Sequence, residues 1–176
     1  IMKNLKPGDI IINEIEDYTF INLVATLKTG KVMQWGHAMI YLGDGKVMEA
    51  RMETDSVTEN DFVKSNTGYT HLIVIRPPEV LASKIVEKAK EYKDKVKYDF
   101  DYDLESDDAM YCSEFVYKVI KEVDKSVKIN LRKELLGGKS VYPDELVEIP
   151  TMNDSWKVVY LSDDNNLWYN ILSKYR

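Results

Sequence analysis

One cysteine and two histidines carry most of the nucleophile-and-base potential of this 176-residue chain. Cys112 stands in the run Asp107-Asp108-Ala109-Met110-Tyr111-Cys112-Ser113-Glu114-Phe115-Val116-Tyr117. Asp107 or Asp108 is suited to cap a helix there, which puts Cys112 in its first turn. At that end the helix dipole and the unpaired N–H groups favour a thiolate and can steady a developing oxyanion. The competing reading makes Cys112 a small core residue, because Cys112, Val116, Val119 and Val123 also form an apolar helical stripe.

A thiol nucleophile usually works with an imidazole base. His71 opens the apolar run Leu72-Ile73-Val74-Ile75 and reads most simply as a strand-end residue. His37 follows Trp35-Gly36 at the head of His37-Ala38-Met39-Ile40-Tyr41-Leu42, and Glu49 lies in Lys46-Val47-Met48-Glu49-Ala50. The intervening Gly43-Asp44-Gly45 is a strong hairpin signal. A three-residue loop with Gly45 in the left-handed position pairs Leu42 with Lys46, so paired numbers sum to about 88. In that register His37 faces Arg51, and Glu49 faces Met39. Glu49 is then a diagonal neighbour of His37, roughly 7–8 Å away between backbones, where a carboxylate can orient the imidazole. A two-residue or four-residue loop would set the two side chains on opposite faces.

The elements that must hold these groups fall into three zones. From Lys6 to about Arg76 the chain reads as strand-rich: Pro7-Gly8-Asp9 launches Ile10-Ile11-Ile12, and Leu72–Ile75 makes a further apolar strand before Pro77-Pro78. The stretch Phe20 to Leu27 is ambiguous and compatible with a short helix. Leu81, Ile85, Ala89, Tyr92 and Val96 recur at helical spacing and predict a helix over about Glu79–Lys95. Beyond the Cys112 helix, Pro143-Asp144-Glu145 starts another, and Trp156–Leu161 reads as a strand. The expected fold class is α+β, an antiparallel sheet packed against at least two helices, as a single domain over 1–176.

Composition narrows the function. With 44% hydrophobic and 31% charged residues the chain is globular rather than disordered. A net charge of −6 argues against nucleic acid as the main partner, since phosphate binding needs clustered Lys and Arg. A lone cysteine forbids an internal disulfide. No run approaches the roughly 20 apolar residues of a membrane span. Ile1 before Met2 reads as a trimmed or tagged start, so the compartment stays open: cell envelope or secreted if a signal was removed, cytoplasmic otherwise.

Three motifs together resemble a known family. Trp35-Gly36-His37-Ala38-Met39-Ile40-Tyr41, Val47-Met48-Glu49-Ala50 and Tyr111-Cys112-Ser113-Glu114-Phe115-Val116-Tyr117 look like the permuted branch of the NlpC-type cysteine peptidases, closest to its YiiX-like members. Leu5-Lys6-Pro7-Gly8-Asp9 is similar to that family's first strand, and Tyr142-Pro143-Asp144-Glu145-Leu146 is a looser echo. The resemblance implies a circularly permuted papain-like fold in which base and orienting residue precede the nucleophile, the order His37, Glu49, Cys112. It also implies amide-bond hydrolysis, with peptidoglycan stem peptides as the superfamily's best-known substrates. The lecithin:retinol acyltransferase relatives share the fold but carry a second histidine where this chain has Glu49.

Other residues are assigned around this core. Tyr111 and Ser113 flank the nucleophile as substrate contacts. Arg51 is placed to hold a substrate carboxylate, or else to form an ion pair at the rim. Asp99 to Asp107 mimics half of a calcium loop, but Leu104 and Met110 stand where glycine and glutamate are required. The alternation instead predicts a strand with Phe100, Tyr102 and Leu104 on one side. Asp101 and Asp103 on the other side would make an anionic wall that attracts a substrate ammonium group. No cofactor is expected, and the substrate is expected to be a small peptide or acyl amide. Alternatives are a lipid acyltransferase or lipid hydrolase using the same residues, and a zinc site of His, Glu and Cys.

Overall fold

The computed structural model describes residues 2–14, 20–67 and 71–162. Six strands form one antiparallel sheet: β1 (Ile10–Glu14), β2 (Trp35–Gly43), β3 (Lys46–Arg51), β4 (Ser56–Asp61), β5 (Leu72–Arg76) and β8 (Lys157–Leu161). Their order is β4-β3-β2-β1-β5-β8. A two-stranded ribbon pairs β6 (Arg132–Lys133) with β7 (Lys139–Ser140). The helices are α1 (Phe20–Thr29), α2 (Phe62–Ser65), α3 (Glu79–Glu91), α4 (Cys112–Val123), α5 (Pro143–Val147) and α6 (Ile149–Met152). Among the described residues no helix is long and apolar enough to cross a membrane.

The run Ile10-Ile11-Ile12 is continuous rather than alternating because the sheet is covered on both faces here. Ile10 and Ile12 join the larger core with Ile40, Ile85, Phe115 and Val119. Ile11 joins a second cluster with Met39, Tyr41, Val47, Phe62 and Val74. Full burial of each such side chain contributes roughly 1.5–3 kcal/mol, enough to fix β1 at the centre and α4 against it. The turn before β1 is set by Gly8. At φ +90°, a Cβ there would lie 2.8 Å from the carbonyl oxygen of Ala82. Asp9, fully buried, accepts from the Lys6 N–H at 2.8 Å and pairs with Arg76 at 2.7 Å.

The β2–β3 hairpin reaches the expected register by a different route. Ile40 pairs with Met48 and Tyr41 with Val47, so the numbers sum to 88, but Gly43, not Leu42, pairs with Lys46. The turn itself has two residues, Asp44 and Gly45, both left-handed at φ 52° and 73°. Such a turn alone would put His37 and Glu49 on opposite faces. A bulge between Tyr41 and Gly43 adds the residue that restores the alignment, with Gly43 at φ 102°. The Tyr41 hydroxyl accepts from the Gly45 N–H at 3.0 Å and closes the turn.

Three expectations are corrected. The helix predicted to Lys95 ends at Glu91, and Asp94 turns left-handed at φ 57° before Val96. The predicted strand over Asp99–Asp107 is a loop. Asp99 accepts from the N–H groups of Asp101 and Asp103 at 2.7 and 2.9 Å, and Asp103 accepts from those of Glu105 and Ser106 at 2.8 and 3.2 Å. These side-chain-to-backbone bonds replace ladder pairing. Phe100 is exposed while Tyr102 is buried, so they do not share a face. Finally, neither Asp107 nor Asp108 caps α4.

Candidate active site

Cys112 is the first residue of α4, and Tyr111 is its N-cap. The cap comes from inside the helix: Glu114 reaches back to accept the Tyr111 N–H at 3.2 Å. Asp107 pairs instead with Lys118 at 2.9 Å, and Asp108 accepts from Ser106. Lys118 also lies 3.1 Å from Glu114 and donates to the Ser106 carbonyl, tying the preceding loop to the helix. Burial pushes the Glu114 carboxyl up to about 8 despite that lysine.

His37 enters from β2, where it pairs across the ladder with Asn13 of β1. Its Nε2 lies 2.5 Å from Glu49 Oε2. The sulfur of Cys112 lies close enough to this ring that each group shifts the other's titration. The backbone N–H groups of Ala38 and Ser113 also point to the sulfur. Sulfur, imidazole and carboxylate therefore form one interacting group, with the 2.5 Å His37–Glu49 contact as its short link.

The charges follow from this chain. Burial alone would hold the imidazole neutral, yet Cys112 and Glu49 beside it raise it to about 10. Burial would likewise keep the thiol protonated, but the imidazole outweighs it and lowers the thiol below its ordinary value. Both shifts run in the direction that favours a thiolate–imidazolium pair.

Glu49 is fully buried and spent on four partners. Besides His37, its Oε1 accepts from Ser65 Oγ at 2.5 Å and Asn60 Nδ2 at 2.9 Å, and lies 3.5 Å from Arg51 Nη1. Burial works against the charge, but the His37, Ser65 and Arg51 interactions hold its carboxyl at about 2. Sequence reasoning missed Ser65 and Asn60. Asn60 sits on β4, whose register sets Thr58 opposite Glu49 and so puts Asn60 on the same face one step along. Ser56-Val57-Thr58-Glu59-Asn60, with a single apolar residue, gave no clear signal of it. Ser65 ends α2, which Asp61 caps by accepting from Val63 and Lys64.

The remaining sequence candidates separate. Arg51 is a rim ion pair, with Nε and Nη2 each 3.1 Å from Glu53 and Nη1 toward Glu49. Tyr111 and Ser113 are both buried with their polar groups turned to Val141. The Tyr111 hydroxyl accepts its N–H at 3.0 Å, and Ser113 donates to its carbonyl at 2.8 Å. Their side chains fix α4 and present no polar group to solvent. Asp103 is engaged within its own loop, and Asp101 is exposed beside it. His71 Nδ1 pairs with Glu14 at 2.7 Å, away from the sulfur's partners. Tyr98 and Tyr102 meet edge-on at 6.2 Å, and Tyr102 and Tyr111 meet tilted at 5.3 Å, next in sequence to Cys112.

Asn13 was also missed. It is fully buried directly opposite His37, and neither carboxamide atom has a hydrogen-bond partner among the described residues. The signal was a lone polar residue closing the run Ile10-Ile11-Ile12.

A sheet that supplies an imidazole and a carboxylate, followed in the sequence by a helix that begins on a cysteine, has the architecture of a papain-like thiol hydrolase with its strands moved ahead of its helix. The chain matches over residues 4–160 the profile of the permuted papain-like amidases of the YaeF/YiiX kind, family C92. It belongs to that family, a family of cysteine peptidases and amidases. A solved structure similar in fold is yiiX from Escherichia coli O157:H7, described as a metalloprotein. It is 19% identical, with a TM-score of 0.69 over 90% of this chain and 98% of that one. No curated protein sequence matches the chain. Among the described residues here, no three His, Cys, Asp or Glu side chains are grouped to hold a metal ion. His37 Nε2 and Glu49 Oε2 are engaged with each other.

Proposed function

We propose that the chain hydrolyses an amide bond through a thioester on Cys112, with His37 as general base and acid and Glu49 as the orienting carboxylate. The observation that carries this reading is the 2.5 Å bond from His37 Nε2 to the buried Glu49, on an imidazole that interacts electrostatically with Cys112. The thiolate attacks the amide carbonyl carbon, and the imidazolium gives its proton to the leaving amine as the C–N bond breaks. Water then attacks the thioester while His37 takes its proton, releasing the carboxylic acid and the thiolate. N–H groups at the start of α4 are oriented to stabilise the oxyanion in both steps. Glu49 keeps Nε2 protonated throughout, so the nitrogen facing sulfur does the proton transfer.

The substrate class that fits is a small peptide or N-acyl amino-acid amide, of which peptidoglycan stem peptides are one source. Asp101 supports a preference for a nearby substrate ammonium, because it is exposed on the loop that leads into α4. The test is mass spectrometry of Cys112 after mixing with a library of peptides, acyl amides and phospholipids. An acyl adduct from amides supports the reading. An adduct from phospholipid alone replaces it with lipid acyl transfer, and no adduct on Cys112 refutes both.

A further inference from the structure

The end of α1 and the tip of the β6–β7 ribbon form an apolar surface beside the Asp101 loop, whose Asp101 and Tyr102 carbonyls accept from Lys28 Nζ at 2.9 and 2.8 Å. Leu23 and Leu27 lie one turn apart on α1 and are both exposed. The ribbon tip carries Leu135 and Leu136, exposed at 67% and 103%, next to Gly137 and Gly138 at φ 95° and 97°. The two elements are joined. The Leu135 N–H donates to the Lys28 carbonyl at 2.6 Å, its side chain flanks Gly30, and Lys28 lies 3.3 Å from Glu134. Val32, just beyond, is also exposed. Scattered surface leucines need no explanation, but a contiguous apolar projection rimmed by charge marks an interaction site.

The rim identifies the partner. Lys31, Lys133 and Lys139 are exposed around these leucines, and no ion pair engages them among the described residues. The one acid in the segment 132–139, Glu134, is taken by Lys28. This is a local basic patch on a chain of net charge −6. Asp101 is the exposed acid on the neighbouring loop, so apolar side chains projecting from a tight tip beside three lysines fit the interface of an anionic bilayer. Leucines there enter the acyl boundary while ammonium groups meet lipid phosphates. We propose that this surface docks the protein peripherally on anionic phospholipid membranes. A second copy of the chain fits less well, because like-charged lysine rims would face each other.

The proposal is independent of the amidase reading and is tested without turnover. The full chain is sedimented with vesicles of phosphatidylcholine alone and of phosphatidylcholine mixed with phosphatidylglycerol. The wild type and Cys112→Ala should both pellet with the mixed vesicles, less with the neutral ones, and less as salt rises. The doubly substituted Leu135→Ser/Leu136→Ser and Lys133→Glu/Lys139→Glu proteins should each bind at least about tenfold more weakly. Thermal melts should match the wild type, since these side chains are exposed. Wild type left in the supernatant overturns the proposal, as does binding that survives loss of both leucines. Self-association without lipid that vanishes in the Leu135→Ser/Leu136→Ser protein also overturns it and assigns the patch to a second copy.

Discussion

Glu49 Oε2 lies 2.5 Å from His37 Nε2, while the same carboxylate's Oε1 is clamped by Ser65 and Asn60. The imidazole is thus oriented by a group that is itself immobilised, so the effects of substitution should be graded by distance from the sulfur.

Cys112→Ser and His37→Ala should each lower kcat/KM on the amide found by adduct trapping by roughly a thousandfold or more. Glu49→Gln should cost less, because it tunes the base without bonding to substrate. Ser65→Ala should cost less again, about tenfold or below, with KM nearly unchanged. Steady-state kinetics on the four variants checks the order. Full activity without His37 would pass the base role to His71.

Thiol reactivity reads the ion pair directly. With the thiol lowered and the imidazole raised to about 10, the pair favours the thiolate. A small alkylating reagent should therefore modify Cys112 at pH 7 roughly tenfold faster than an ordinary thiol of pKa about 8.5. His37→Ala should slow the reaction and shift its pH dependence upward. Equal rates in the two proteins would make Cys112 an inert core thiol.

Much of this site was legible because its signals are local. Gly43-Asp44-Gly45 announces the hairpin, and the stripe from Cys112 to Val123 announces a helix that starts at the nucleophile. What was misread depends on competition between side chain and backbone. Asp99 and Asp103 were read as a strand's polar face, but their carboxylates take the N–H groups that a ladder would need. The α4 cap was sought upstream at Asp107 and Asp108, whereas Glu114 supplies it from three residues inside the helix. Ser65 and Asn60 were invisible, since their value lies in packing against Glu49, 16 and 11 residues away in sequence.

Acid stability should carry the mark of Glu49. Its carboxyl sits at about 2 in the fold against an ordinary 4.5. A lowered acid contributes stability that is complete above the unfolded value and lost as pH falls through the folded one. Its share should therefore drain away between about pH 4.5 and 2. Melting temperatures of Glu49→Gln should be lower than wild type near neutrality and should converge toward it over that window. Parallel curves would remove the ion pair from the account.

Asn13 offers a contrasting outcome. A buried carboxamide with no partner costs roughly 1–3 kcal/mol, and an apolar replacement of similar shape avoids that cost. Asn13→Leu should raise the midpoint of chemical denaturation at unchanged m-value. A lower midpoint would show that the carboxamide is satisfied in solution.

The bulge between Tyr41 and Gly43 gives the hairpin an arithmetic of its own. The base sits on one arm and its orienting acid on the other, so whether they meet depends on an odd or even count of residues around the tip. Insertions or deletions of two residues leave that count intact and only lengthen or shorten the arms. A single inserted residue either is absorbed as a second bulge or turns one arm over, carrying Glu49 to the opposite face together with Val47. Length variation at this tip is therefore quantised in pairs, and loop grafts or tags placed there should follow the same rule.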